Sequence, residues 1–288
     1  MYIYICNTFS DSISEINIRE FKEERRIKIN SNQRVGPHGI HKFSDILFTA
    51  NNYSNDISLI DLNDYSVRSF YVGTNCTDIK VNGDKAYIVC GDSNDMKVFN
   101  LLDEKIEKSI YCGDFPHSID IQGVINKILV CSMRDGYVNL LDLNEEKVID
   151  KVKVGNYPTK AIFCDNGRFI LVCESHFGEK FGNITVLDKE LKHIEKLKVG
   201  KGPVDMYSSG DKLYISNMGD GTVSVIDLEL LKEVDKISIG GMPRGIIEKD
   251  GFLYVGDYFR SRLIKICLKS RVKECIYIGK EPNSMILV

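Results

Sequence analysis

Tryptophan is absent from these 288 residues, which removes the Trp-Asp signature that marks one large class of repeat protein. No run of eighteen apolar residues exists, so no segment is expected to span a bilayer as a helix. Neither sign of charge is in excess. With 38 basic against 41 acidic residues the formal net charge is -3, which argues against nucleic acid or an anionic membrane recognised by bulk charge. The longest basic run, "FKEERRIK" (21–28), alternates with acids and reads as a solvated edge. No GxSxG, HExxH, Walker loop or helix-opening GxGxxG occurs, and the nine cysteines form no CxxC. Their odd number fits a reducing compartment better than a disulfide framework. The N-terminus "MYIYICNTFSDS" has no basic leader and alternates like a strand, so no signal peptide is expected and the cytoplasm is the expected address.

What is present is a repeat. Segments such as "VGNYPTKAI", "VGKGPVDMY" and "IGGMPRGII" recur, and their marker glycines fall at Gly36, Gly73, Gly113, Gly155, Gly200, Gly240 and Gly279. The spacings are 37, 40, 42, 45, 40 and 39 residues. The 36 residues up to the first marker and the nine after the last together make one more period. Within 199–240, "PVDMYS", "KLYISN", "TVSVIDL" and "KEVDKISIG" each alternate apolar and polar residues and are separated by turn chemistry such as "SGD" and "MGDG". Four strands per unit leave no room for a helix. "YIYICNTFSDSISEIN" (2–17) aligns without a gap to "KLYISNMGDGTVSVID" (212–227), so the chain starts at the second strand of a unit.

The expected fold is therefore all-β: a seven-bladed β-propeller of four-stranded antiparallel blades over 1–288, closed by the C-terminal strand joining the N-terminal blade. That split blade comprises 1–34 and 278–288. An open solenoid would need capping units and would gain nothing from a divided repeat. Burial of Met285, Ile286, Leu287 and Val288 is expected to contribute roughly 1.5–3 kcal/mol each.

The units resemble the YVTN β-propeller repeat family, which includes the periplasmic YncE-type proteins. "LYISNMGDGTVSVIDLELLKEVDKISIGGMPRGI" (213–246) carries the resemblance, with weaker copies over essentially the whole chain. It implies a seven-bladed propeller with a central channel. It is specific for fold and poor for function, because such propellers serve as enzymes, binding modules and surface proteins. The chain departs from many members in lacking a recognisable export signal.

Aligning the units gives columns. A proline follows each marker at Pro37, Pro116, Pro158, Pro203, Pro243 and Pro282, with Cys76 in the second unit, as suits the first residue of an inner strand. Three residues on lies an apolar column: Ile40, Ile79, Ile119, Ala161, Met206, Ile246 and Met285. Between them, two variable positions place His38, Asp78, His117, Lys160, Asp205 and Arg244 at one mouth of the channel. Such residues can simply hydrate a wet axis, yet convergent mixed charge in a concavity is also the usual form of a ligand site. A further column ends the second strand (Asn7, Asn51, Cys90, Ser132, Cys173, Asn217, Asp257), where small polar groups cap loops; Asn217 and Asp257 are added to the candidate ligand contacts. Asp61, Asp142, Asp188 and Asp227, with Asn17 and Asn100, precede turns and are expected to bond turn amides. Cys6, Cys90, Cys131 and Cys173 are expected as small buried hydrophobes, with no metal site. The longer loop "ESHFGEKFGN" (174–183), carrying His176, is either a lid or a tolerated insertion.

The functional expectation is a non-catalytic scaffold, acting as a monomer without cofactor, that binds a small ligand, peptide or protein at the channel mouth. The alternative, resting on the similarity of "GPHGI" (36–40) and "FPHSI" (115–119) to inner-strand openings in lactonases and streptogramin lyases, is a hydrolase or lyase with a histidine general base. No blade supplies an obvious paired His/Glu set for it, and no catalytic residue is assigned.

Overall fold

The computed structural model describes residues 1–29, 32–164, 167–176 and 180–288. Seven sheets of four antiparallel strands stand around an axis. Blade 1 begins with the inner strand Pro37–Phe43 and ends at Val67–Tyr71; blades 2 to 6 follow in order, their inner strands at Cys76–Asn82, Pro116–Gln122, Pro158–Phe163, Pro203–Ser209 and Pro243–Lys249. Blade 7 is the divided one. Its inner strand Pro282–Leu287 pairs with Tyr2–Asn7, which pairs with Ser12–Asn17 and then Lys22–Lys28. Ile3 lies opposite Leu287 and Ile5 opposite Met285, and Tyr2 and Val288 exchange backbone hydrogen bonds at 2.7 and 2.8 Å. Each inner strand touches the next, and Pro282–Leu287 touches Pro37–Phe43, so the ring is closed. Helix is confined to short 3₁₀ turns such as Thr8–Ser10 and Gly123–Ile125, and no helix among the described residues is long and apolar enough to cross a membrane.

The core is seven cores. Each apolar cluster lies between two neighbouring blades: Phe48 and Leu59 of blade 1 meet Ile79 and Phe99 of blade 2, and Tyr4 and Ile13 of blade 7 meet Leu47 and Ile60 of blade 1. Second and third strands are therefore buried on both faces, and read as near-continuous apolar runs, whereas the outer strands are mostly exposed. The closing strand departs from expectation in degree. Met285, Ile286, Leu287 and Val288 are only half-buried, because one side of an inner strand faces the channel. Their contribution falls below the full-burial figure accordingly.

The turn column behaves as anticipated. Asp142 Oδ1 accepts from the amides of Asn144 and Glu145, both at 3.0 Å, and Asp227 and Asn100 do the same in their blades. In blade 4 the second-strand column is shifted by one residue: the strand runs Ile170–Glu174, and Glu174, not Cys173, lies opposite Pro158. Cys173 pairs with Lys160 and packs into the core. Glu174 is fully buried, held by Lys196 at 2.8 Å and by the Thr185 hydroxyl. Cys6, Cys90, Cys131 and Cys173 are all buried. Cys76 also meets Cys90 across the strands of blade 2, Sγ to Sγ 3.6 Å, a pairing the spacing had not revealed.

Candidate functional site

One local irregularity builds the mouth. In every blade the pairing of inner and second strands slips just after the residue in the proline column, so that an extra residue stands unpaired. Such a bulge re-aims a side chain. In blades 1 to 5 the extra residue is His38, Thr77, His117, Thr159 or Val204; Arg244 and Asn283 take the same place in blades 6 and 7. This is the first of the two variable columns.

These side chains reach sideways to the next blade. His38 Nδ1 lies 2.6 Å from the Thr77 carbonyl, and Thr77 Oγ1 donates to the Pro116 carbonyl at 3.2 Å. His117 Nδ1 lies 2.7 Å from the Thr159 carbonyl, and Thr159 Oγ1 donates to Pro203 O at 3.1 Å. Arg244 Nε donates to Asn283 Oδ1 at 2.6 Å; Asn283 Nδ2 donates to Thr8 Oγ1, which donates to Pro37 O. The girdle runs from blade to blade around the ring and is interrupted at Val204, which has no polar atom to offer. Because carbonyl oxygens can only accept, both histidines carry their proton on Nδ1. Nε2 of His38 then accepts from Arg244 at 3.0 Å. Nε2 of His117 has no partner among the described residues.

Below the girdle the second variable column carries the charges. Lys160 Nζ lies 3.5 Å from Asp205 and 3.9 Å from Asp78, and one layer further down Lys80 lies 3.7 Å from Asp120. Burial alone would push the Lys160 ammonium down, but Asp205, Asp78 and Asp120 outweigh it and hold its pKa above the ordinary lysine value. Burial, Arg244 and His117 press His38 well below the imidazole range, and burial with Arg244 brings His117 to about 4, so both rings are neutral at pH 7. Burial also lowers Arg244, though a guanidinium stays protonated regardless.

Six of the eight residues expected at the mouth thus come together there: His38, Asp78, His117, Lys160, Asp205 and Arg244. Asn217 and Asp257 do not. Asn217 is fully buried and donates to Ser224 and Thr222 within its own blade; Asp257, equally buried, accepts from the Met242 amide and from Arg262 at 2.7 Å. The throat between the six is about 20 Å³, on the order of one water. A larger chamber of about 350 Å³ lies beneath, around Lys80, Asp120 and Met206.

A third cavity, of about 330 Å³, opens beside the throat where the girdle is broken. His117, Thr159, Val204 and Arg244 belong to both, and Met133, Met218 and Met242 line the rest of it together with Ser175 and two glycines. The methionines went unnoticed in the columns, although Met133 and Met218 each directly follow the end of a second strand, as do Ser175 and Tyr258. Reading one position further along that column would have found this rim. Of the blade 4 loop, residues 177–179 lie outside the described ones; His176 Nε2 lies 3.3 Å from Asn183 Nδ2, and Ser175 lines the cavity.

A divalent metal does not fit these side chains. Among the described residues no three His, Cys, Asp or Glu groups converge on a point, and the place between Asp78 and Asp205 is filled by the Lys160 ammonium.

Comparison with solved structures gives likenesses in fold alone. A protein of unknown function from Desulfotomaculum acetoxidans matches at TM-score 0.82 and 14% identity, over 99% of this chain and 98% of its own. Hydrazine synthase of Kuenenia stuttgartiensis matches at 0.77 and 18%, over 95% and 91%. A catalytically inactive virginiamycin B lyase from Staphylococcus aureus, with quinupristin, matches at 0.74 and 16%, over 86% of each chain. No curated protein matches the sequence. The family model of the YNCE-like β-propellers matches residues 1–288, and the chain belongs to that family.

Proposed function

We propose that the chain is a non-catalytic binding propeller that receives a small ligand at the channel mouth, on the face where the bulged residues converge. The carrying observation is the pairing of a polar throat too narrow for anything but water with an open, partly apolar cavity sharing His117 and Arg244. A ligand would rest on the throat and not pass through it. The fixed girdle supports binding over turnover: its histidines, threonines and Asn283 are held in place by neighbouring chain segments, which makes a rigid rim at little ordering cost to a ligand. The near-neutral overall charge supports a small molecule over nucleic acid.

The lyase reading has one observation in its favour, the uncommitted Nε2 of His117. A base with a pKa of about 4 is, however, a poor proton acceptor near pH 7. A thermal-shift screen of small molecules, repeated on the His38→Ala/His117→Ala double variant, tests the proposal. Compounds that stabilise the native protein but not the variant, and are recovered unchanged after incubation, support it. Stabilisation equal in both proteins, or conversion of a hit that the variant fails to perform, overturns it.

A further inference from the structure

Arg244 is the one charged member of the girdle, and its hydrogen-bond partners are neutral. Nε is used by Asn283 and one hydrogen of Nη2 by His38, while the Tyr258 ring lies 5.3 Å away. Among the described residues no carboxylate forms an ion pair with it. The acids nearest in effect are committed elsewhere: Asp205 to Lys160, and Glu281 as acceptor from the Tyr258 hydroxyl at 2.8 Å. A part-buried guanidinium without a counter-ion is unusual, because desolvated charge is ordinarily paired. Three of its five N–H donors are unspent, two on Nη1 and one on Nη2, and such donors bind a carboxylate through charge-assisted hydrogen bonds.

Arg244 lines the 330 Å³ cavity, whose apolar lining is Met133, Met218, Met242 and Val204, with Thr159 and Ser175 as further polar members. That volume is at the small end of ligand pockets. Methionine walls accommodate varied apolar shapes and favour contact with aromatic rings. Beside the guanidinium, His117 offers only a lone pair, which repels a second anionic oxygen and accepts from a hydroxyl or amide N–H.

We propose, resting on the binding reading above, that this cavity takes a small apolar carboxylate: the acid group on Arg244, the hydrocarbon body among the three methionines, and a hydroxyl or N–H next to the acid donating to His117 Nε2. The ligand supplies the missing counter-ion. Val204 fills the break in the girdle because the apolar body needs a wall without polar groups there.

Calorimetric titration with four probes tests this: 2-hydroxy-4-phenylbutyrate, 4-phenylbutyrate, 4-phenylbutanamide and acetate. The expected order is hydroxy acid tightest, the plain acid several-fold weaker, the neutral amide at least tenfold weaker than the plain acid, and acetate without measurable heat. Arg244→Met, shown folded by its thermal transition, should bind both phenyl acids at least tenfold more weakly, and Met218→Ser should weaken them while leaving acetate unchanged. The probe series needs no variant, so it decides the matter even if Arg244→Met fails to fold. Equal binding of acid and amide, both abolished by crowding the cavity with Val204→Phe, overturns the carboxylate assignment and leaves the binding reading standing. Failure of all four probes overturns the assignment too; the small-molecule screen then judges the binding reading separately.

Discussion

Replacing Lys160 by methionine removes the one ammonium that holds the upper channel together while nearly conserving volume. Asp78 and Asp205, from blades 2 and 5, are left facing each other across the throat with no cation at 3.5–3.9 Å. Breaking a fully buried pair costs about 3–5 kcal/mol, and an exposed one about 0–1. Here the side chains are 21%, 8% and 15% exposed, and a hydrated chamber lies below, so the penalty belongs between these, at about 2–3 kcal/mol. With about 2–4 °C per kcal/mol, the melting temperature should fall by roughly 4–12 °C. Urea unfolding at pH 7.5 should show that loss, and adding Asp205→Asn to the variant should recover most of it, because a neutral amide then faces the remaining carboxylate. A variant within 0.5 kcal/mol of the native protein, or no recovery on adding Asp205→Asn, would refute the idea that Lys160 is an obligatory counter-ion.

Deleting Pro282–Val288 strips blade 7 of its inner strand and exposes the clusters on both its sides, and the product should be insoluble or lack a cooperative melt; a sharp transition would count against ring closure. His117, whose pKa falls from an unfolded value near 6.5 to about 4, binds its proton more tightly when unfolded, so it removes stability as pH drops from about 6.5 to 4. His117→Asn should flatten that acid limb in urea titrations at pH 7, 5.5 and 4.5, and an unchanged slope would contradict the assignment of a neutral ring. Gly39→Ala places a Cβ 2.5 Å from the Asp78 backbone and should lower the melting temperature by several degrees, since the neighbouring inner strand cannot yield as a side-chain tip could; an unaffected melt would show that the two strands can separate.

Much of the architecture could be read from residues alone. Period-two alternation, the glycine-proline marker and the Asp/Asn turn column are local signals, each set by backbone geometry within a few residues, and all three are where the alignment placed them. The one slip, Cys173 for Glu174, came from blade 4, where a buried acid stands at a column otherwise filled by small polar residues and cysteine. Among the mouth residues, the variable columns picked out His38, His117 and Arg244 because bulges recur at one place in every repeat. Asn217 and Asp257 lie away from the mouth, because a small polar residue at a strand end looks the same in sequence whether it faces a channel or its own blade.

By itself, then, the sequence determined the number of blades, the divided seventh, and which positions open onto the axis, since a repeat carries the same local instructions seven times. Only the tertiary structure decided how those positions answer one another across the ring. The distances between Lys160 and the acids of two other blades, the carbonyls that set the histidine tautomers, the gap at Val204 and the unpaired charge of Arg244 depend on chain segments up to 206 residues apart, a separation no periodicity encodes.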